Sequence, residues 1–444
     1  MRRPFRAALA APFLLVALLL PAAPAGAVTI EKVTSPGGIE AWLVEDHSNP
    51  IIDLELAFRG GASVEPEAKA GLAYMVSSLL DEGAGPYDSQ TFQGKLDDLA
   101  IELGFDSGED NFHGHLKTLT RNRDIAFDLF RLALTRPRFD KEPVERIRSQ
   151  ILTALARQQQ SPEAIASLDW FKTQFAGHPY AVPVRGTPET VNAITVGNLR
   201  SYVKAHLARD NLLIGVVGDI TPAQLAQLLD ATFGTLPAKA APVTIPDIAP
   251  VAPGRMEVVR RHDPQTVAIF GQQGLKRDDP DWYAAYVMNY ILGGGDFSSW
   301  LTEDVREKHG LAYSVYSILQ PMEHTGIIFG SVATENSHFA ESVRLIRQEW
   351  ARMRDQGPTQ KELDDAKTFL TGAFALQLDS TTSIADLLVT LRIDRLGIDY
   401  IDRRKDLLGA VTLADVRRVA KRLLHPEALA FVVVGEPEGI TPSR

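Results

Sequence analysis

Residues 194–219, ITVGNLRSYVKAHLARDNLLIGVVGD, and residues 411–436, VTLADVRRVAKRLLHPEALAFVVVGE, align without a gap at an offset of 217. Thr195/Thr412, Arg200/Arg417, Lys204/Lys421, Leu207/Leu424, Leu212/Leu429 and Gly218/Gly435 are identical pairs. Each copy reads as a threonine N-cap, an amphipathic helix, a short turn, a buried apolar strand, then a glycine and an acid. A match that runs through the cap, the turn and the terminal glycine points to one fold used twice.

Working outward, residues 236–254, LPAKAAPVTIPDIAPVAPG, are rich in proline and alanine and carry neither a helical nor a strand period, which predicts a semi-extended connection. The chain then divides into an N-terminal half at 28–238, a linker at 239–254 and a C-terminal half at 255–444. A length of 444 residues agrees with two cores. The first half opens with strands over 41–46 and 51–59, parted by His47-Ser48-Asn49-Pro50. Helices are expected over 71–82, 89–103, 122–134 and 142–160, the second with Phe92, Leu96, Leu99 and Leu103 on one face. Strands and helices mixed without regular βαβ alternation predict an α+β fold: two homologous halves, each a mixed, largely antiparallel sheet covered by helices.

Residues 1–27 read as a signal peptide. Arg2, Arg3 and Arg6 form the basic end, residues 7–20 the apolar core, and Ala25-Gly26-Ala27 a small-residue cleavage site. The core is shorter than a membrane span requires, so the mature chain is expected in a bacterial periplasm with no membrane span. Its formal charge moves from −10 to −13 on losing three arginines. An acidic chain without a basic block does not suit nucleic-acid binding. The absence of cysteine excludes disulfides, Cys-zinc sites, thiol nucleophiles and lipid attachment through cysteine.

Gly177-His178-Pro179-Tyr180, Gly186-Thr187-Pro188-Glu189 and Val216-Val217-Gly218-Asp219 resemble the end of an insulinase-type (pitrilysin-type) zinc peptidase N-terminal domain. Leu292-Gly293-Gly294-Gly295, Ser299, Leu301, Arg306-Glu307, Gly310-Leu311 and Tyr313 resemble the same family's C-terminal signature. The resemblance covers nearly all of the mature chain. It implies an H-x-x-E-H motif on a helix after a glycine, with two histidines as zinc ligands and the glutamate as base. In the matching helix, which begins at Gly71, Tyr74 replaces the first histidine, Ser77 the base and Ser78 the second histidine. The expected place of the distal glutamate, 146–162, contains no carboxylate. No cofactor is therefore expected in this chain. His113 and His115 alternate on a strand and share a face, but no third ligand is assignable; His178 reads as structural.

Gly293-Gly294-Gly295-Asp296 reads as a flexible turn, Ser298 or Ser299 as the N-cap of a helix over 300–308, and 311–319 as a strand. G-x-G-x-x-G and the P-loop lysine are missing, so nucleotide binding is not expected. The resemblance implies that Arg306 and Tyr313, seven residues apart, are the family's arginine–tyrosine pair, facing zinc from the opposite domain. A guanidinium and a phenol donate hydrogen bonds to carbonyls and to the oxyanion of peptide hydrolysis. Taken alone, Arg306 could complement a helix C-terminus and Tyr313 could be an ordinary strand aromatic.

The leading expectation is the non-zinc subunit of a heterodimer that encloses peptides, with zinc carried by a homologous partner and an edge strand around 106–116 pairing with substrate. A catalytically silent scaffold of the same fold, and a self-sufficient homodimeric peptidase, stay open beside it.

Overall fold

The computed structural model describes residues 28–443; the signal segment read at 1–27 lies outside the described residues. Strands β1 (Glu31–Thr34), β2 (Glu40–Glu45), β3 (Ile51–Arg59), β4 (Glu102–Ser107), β5 (Asn111–Leu119) and β6 (Leu212–Gly218) form one sheet in the order β1-β2-β6-β3-β5-β4. Strands β7 (Met256–Arg260), β8 (Gln265–Gln273), β9 (Ala312–Pro321), β10 (Gly326–Glu335) and β11 (Ala430–Gly435) form a second, in the order β7-β11-β8-β10-β9. Apart from β1, the two orders are the same. Only β2–β6 and β7–β11 are parallel; every other ladder is antiparallel.

The first half carries α1 (Leu72–Ser77), α2 (Ser89–Asp98), α3 (Arg123–Thr135), α4 (Lys141–Gln158), α5 (Pro162–Gln174), α6 (Pro188–Ala193), α7 (Val196–His206) and α8 (Pro222–Phe233). The second carries α9 (Trp282–Asn289), α10 (Phe339–Asp355), α11 (Gln360–Ala373), α12 (Thr381–Ile393), α13 (Tyr400–Gly409) and α14 (Leu413–Leu423). Thr195 and Thr412 cap α7 and α14 with reciprocal capping boxes, as the repeat requires. Gly218 (φ 134°) and Gly435 (φ 142°) end the two equivalent strands in backbone conformations closed to residues with a Cβ. Residues 238–250, between the sheets, have no regular structure.

Two expected helices are shorter than their apolar spacing suggests. The helix read over 71–82 is α1 alone, because the Ser77 and Ser78 hydroxyls both donate to the Tyr74 carbonyl and the chain tightens into turns. The helix read over 89–103 stops at Asp98. Ala100 turns left-handed (φ 50°), the Ile101 amide closes on the Leu96 carbonyl, and Leu103 enters β4.

Each half buries one hydrophobic cluster, and two further clusters span the seam. The halves exchange helices. α5 of the first half lies on β8 and β11 of the second, and α12 of the second lies on β3 and β6 of the first. Trp170 on α5 is fully buried, stands edge-on to Phe329 at 5.3 Å, and donates from Nε1 to the Ala430 carbonyl at 3.2 Å. Gly215 on β6 admits α12: a Cβ there would stand 2.8 Å from the Ala385 carbonyl oxygen and 2.8 Å from the Leu388 Cβ. Gly215→Val, although favourable to an isolated strand, is expected to destabilise the protein by about 1–3 kcal/mol through overpacking. Urea unfolding measures this, and an unchanged or raised midpoint contradicts the close approach of α12.

Candidate functional site

The helix that matches the zinc motif starts at Gly71, which is left-handed (φ 91°) and packs where a Cβ would meet the Arg185 carbonyl at 2.8 Å. Glu65 caps it: its carboxylate accepts from the Gly71 and Ala73 amides at 2.7 Å each. Burial pushes the Glu65 carboxyl up to about 7 despite those bonds. Ser77 and Ser78 turn their hydroxyls back onto the Tyr74 carbonyl at 2.8 and 2.9 Å. The Arg185 guanidinium lies 5.2 Å from the centre of the Tyr74 ring. A fixed positive charge beside the position of the first histidine opposes capture of a metal cation. On the adjacent α4, Arg146 is committed to Glu82, at 3.2 and 2.5 Å.

The donors here do not fit zinc: a half-buried phenol and two hydroxyls bonded to their own helix replace two imidazoles and a base. Restoring the motif by Tyr74→His, Ser77→Glu and Ser78→His is expected to leave less than stoichiometric zinc after dialysis, since no distal carboxylate completes the set and Arg185 remains. Metal analysis showing one tightly held zinc per chain contradicts this. In the second half, α9 is the counterpart of α1 at an offset of 212, and there Tyr286, Asn289 and Tyr290 stand at the same three positions.

The strand face read from His113 and His115 is present, and β3 adds Asp53 and Glu55 to it. Burial holds both imidazoles below their usual range. Among the described residues no group of three or more His, Asp or Glu side chains is arranged to hold a metal. The edge strand expected around 106–116 is corrected: β5 is paired on both sides, and β4 forms the edge. Buried His178 is structural, with Nε2 3.0 Å from the Pro246 carbonyl and Nδ1 accepting from the Tyr180 amide at 3.2 Å.

On the second half, the glycine run is not a free turn. Residues Tyr290–Gly294 form a π-helical turn, and Asp296–Ser298 a 3-10 turn. Gly293 lies so close to β9 that a Cβ would stand 2.8 Å from the Ser317 amide nitrogen. Ser299, not Ser298, caps the next helical segment, reaching the Thr302 amide at 3.4 Å. The helix read over 300–308 is π-wound across Thr302–Lys308, a winding that recurs at functional sites. Gly310 (φ 63°) ends it. In β9, Ser314 pairs with Ala333 and Ala312 with Thr334, so Tyr313 is the extra residue of a β-bulge.

The bulge throws Tyr313 outward, 79% exposed, beside Arg306. The Arg306 guanidinium lies 5.8 Å from the Tyr313 ring and 4.8 Å from the ring of Phe297, itself 69% exposed. The structure therefore brings the two sequence-read residues together and adds a third. The Arg306 side chain has no hydrogen-bond partner among the described residues; its one ionic contact is with Glu307 at 3.6 Å. The guanidinium lies near both rings, and its donors are left free for an acceptor from outside. The edge of β9 itself is sealed: Asn289 Nδ2 donates to the Ser317 carbonyl at 3.0 Å, and Thr302 to the Val315 carbonyl at 3.3 Å. No such bond covers β4 among the described residues.

Fold and site together define a two-half α+β scaffold of peptidase type whose would-be metal helix carries no metal-ligand set. Residues 41–188 match the family model described as insulinase (peptidase family M16), and residues 193–370 match the one described as peptidase M16 inactive domain. The chain belongs to the insulinase, or M16, peptidase family, as an inactive member. It is 28% identical over 391 residues to the non-peptidase homolog YmxG of Helicobacter pylori, covering 88% of this chain and 90% of that one. It is 29% identical over 325 residues to a probable mitochondrial-processing peptidase subunit beta of Schizosaccharomyces pombe, covering 69% of each. A crystal structure of a peptidase M16 inactive domain from Pseudomonas fluorescens superposes with a TM-score of 0.87 at 28% identity, covering 94% of this chain and all of that one.

Proposed function

We propose that this chain is the non-zinc subunit of a heterodimeric M16-type peptidase, exported to the periplasm, that binds peptide and stabilises the oxyanion for a homologous zinc-bearing partner. One observation carries the reading. Half-buried Arg306 and exposed Tyr313 are adjacent, with no internal hydrogen-bond partner for either side chain among the described residues, in a chain whose metal positions are Tyr74, Ser77 and Ser78. A guanidinium and phenol with no internal hydrogen bond match an acceptor that arrives from outside, such as a substrate carbonyl whose oxygen gains negative charge. Phe297 also lies against the guanidinium and offers an apolar surface to a neighbouring side chain. The open edge of β4 suits an extended peptide added as a strand, whereas sealed β9 does not.

The test is assembly. The isolated chain and a homologue from the same organism bearing H-x-x-E-H are mixed and resolved by size. A one-to-one complex holding one zinc per pair is expected, with none on this chain alone. No complex, or zinc bound by the isolated chain, contradicts the proposal. A second reading, a silent scaffold of the same fold, is favoured by the likeness to a protein named as a non-peptidase homolog. It expects a stable complex in which Arg306→Ala changes nothing.

A further inference from the structure

Along the outer face of β3, residues 53, 55, 57 and 59 run beneath α12 from its first turn to its last. Asp53, only 3% exposed, accepts hydrogen bonds from the hydroxyls of Thr381 and of Thr382, the latter at 3.1 Å. Lys117 on β5 stands 3.5 Å from the same carboxylate. At the other end Arg59 donates to the Arg392 and Ile393 carbonyls at 2.9 and 3.0 Å. An acid at the helix N-terminus and a guanidinium at its C-terminus both complement the helix dipole.

The middle of this face does not fit the pattern. Glu55 pairs with Gly215 on one side and His115 on the other. Gly215 is where α12 approaches most closely, at Ala385 and Leu388. Glu55 thereby lies beneath the part of α12 that bears Asp386, and its carboxyl has no hydrogen bond or ion pair among the described residues. The charged and titratable groups around it are Asp53 on β3, His113, His115 and Lys117 on β5, and Asp386 on α12. Lys117 is committed to Asp53 and Thr382, and burial holds both imidazoles below their ordinary range.

We infer that α12 is a proton-held latch: clasped at its ends by Asp53 and Arg59, it closes the seam between the halves most firmly while Glu55 stays protonated against Asp386. Burial, with Asp386 and Asp53 adding to it, raises the Glu55 carboxyl to about 8. In the open form, the same carboxyl returns toward its ordinary value near 4.5. The open form therefore releases the proton first. Closure weakens as pH rises from about 4.5 to about 8, and above that it is level because both forms are ionised. Raising pH toward 8 thus loosens the hold of α12 on β3 and β6. This inference is independent of the role given to Arg306.

The test is amide hydrogen exchange on the full purified chain between pH 6.5 and 9, a range that avoids charging the two histidines. Protection factors in α12 are read against those in α14 as an internal reference. In the wild type, α12 protection is expected to fall relative to α14 by up to about tenfold per pH unit toward pH 8 and then to level. Glu55→Gln, which keeps the shape without the titration, is expected to give a flat profile. Asp386→Asn, at an exposed helix position, is expected to make the curve level at a lower pH, and it serves if Glu55→Gln does not fold. An α12 that tracks α14 at every pH in the wild type overturns the latch. So does a slope unchanged by Glu55→Gln, or a levelling pH unchanged by Asp386→Asn.

Discussion

Arg306→Ala is expected to lower kcat/KM of the reconstituted pair for an unfolded peptide by about 10²–10³-fold, the usual consequence of losing one oxyanion donor. The side chain is 36% exposed and is bound only by two rings and a 3.6 Å ionic contact, so its removal should leave folding and pairing intact. Arg306→Lys separates charge from geometry. It keeps a cation but loses the planar fork that lies near Phe297 and Tyr313, and should recover only part of the loss. Equal turnover by wild type and Arg306→Ala, with pairing verified by size, contradicts the proposed role and favours the scaffold reading.

Trp170→Ala is expected to destabilise the chain by about 3–5 kcal/mol, the range for emptying a buried large aromatic site. The site cannot collapse easily, because Trp170 fills the space that Gly271 leaves on β8 and is ringed by Phe171, Phe175 and Phe329. The indole donor to Ala430 is lost as well. Trp170→Phe should therefore be milder, giving up that hydrogen bond and part of the volume. Since α5 belongs to the first half and its bed to the second, the loss should fall on the seam. Proteolysis within 239–254 is expected to accelerate together with the drop in unfolding midpoint. A change below about 1 kcal/mol contradicts the view that exchanged helices hold the halves together.

Much of the fold was legible in the sequence where the signals are local. Thr195 and Thr412, the turns after them, and Gly218 and Gly435 declare their backbone geometry directly, so the doubled fold could be read from them. The lost zinc set was legible because a helix fixes which residues share a face, and tyrosine and serine at those places change the chemistry outright. Boundaries were harder. Leu103 continues the apolar spacing of α2, and nothing but the left-handed turn at Ala100, a residue without special preference for it, marks the end. The partners of α5 and α12 were not legible at all. An apolar helix face states that it needs a cover and does not state which sheet supplies it. Phe297 was missed for a related reason: an aromatic in a glycine-rich turn reads as loop, and its place beside Arg306 depends on the π-wound segment Thr302–Lys308. The bulge at Tyr313 likewise emerges only in the pairing of β9 with β10.

The central claim is that this chain completes an active site it cannot form alone. Its most direct test is a titration of a zinc-motif homologue from the same organism with this chain, following cleavage of a quenched unfolded peptide. The homologue alone is expected to turn over slowly and this chain alone not at all, with the rate rising and saturating at one chain per homologue. A rate that stays at the homologue's own value across the titration contradicts the claim.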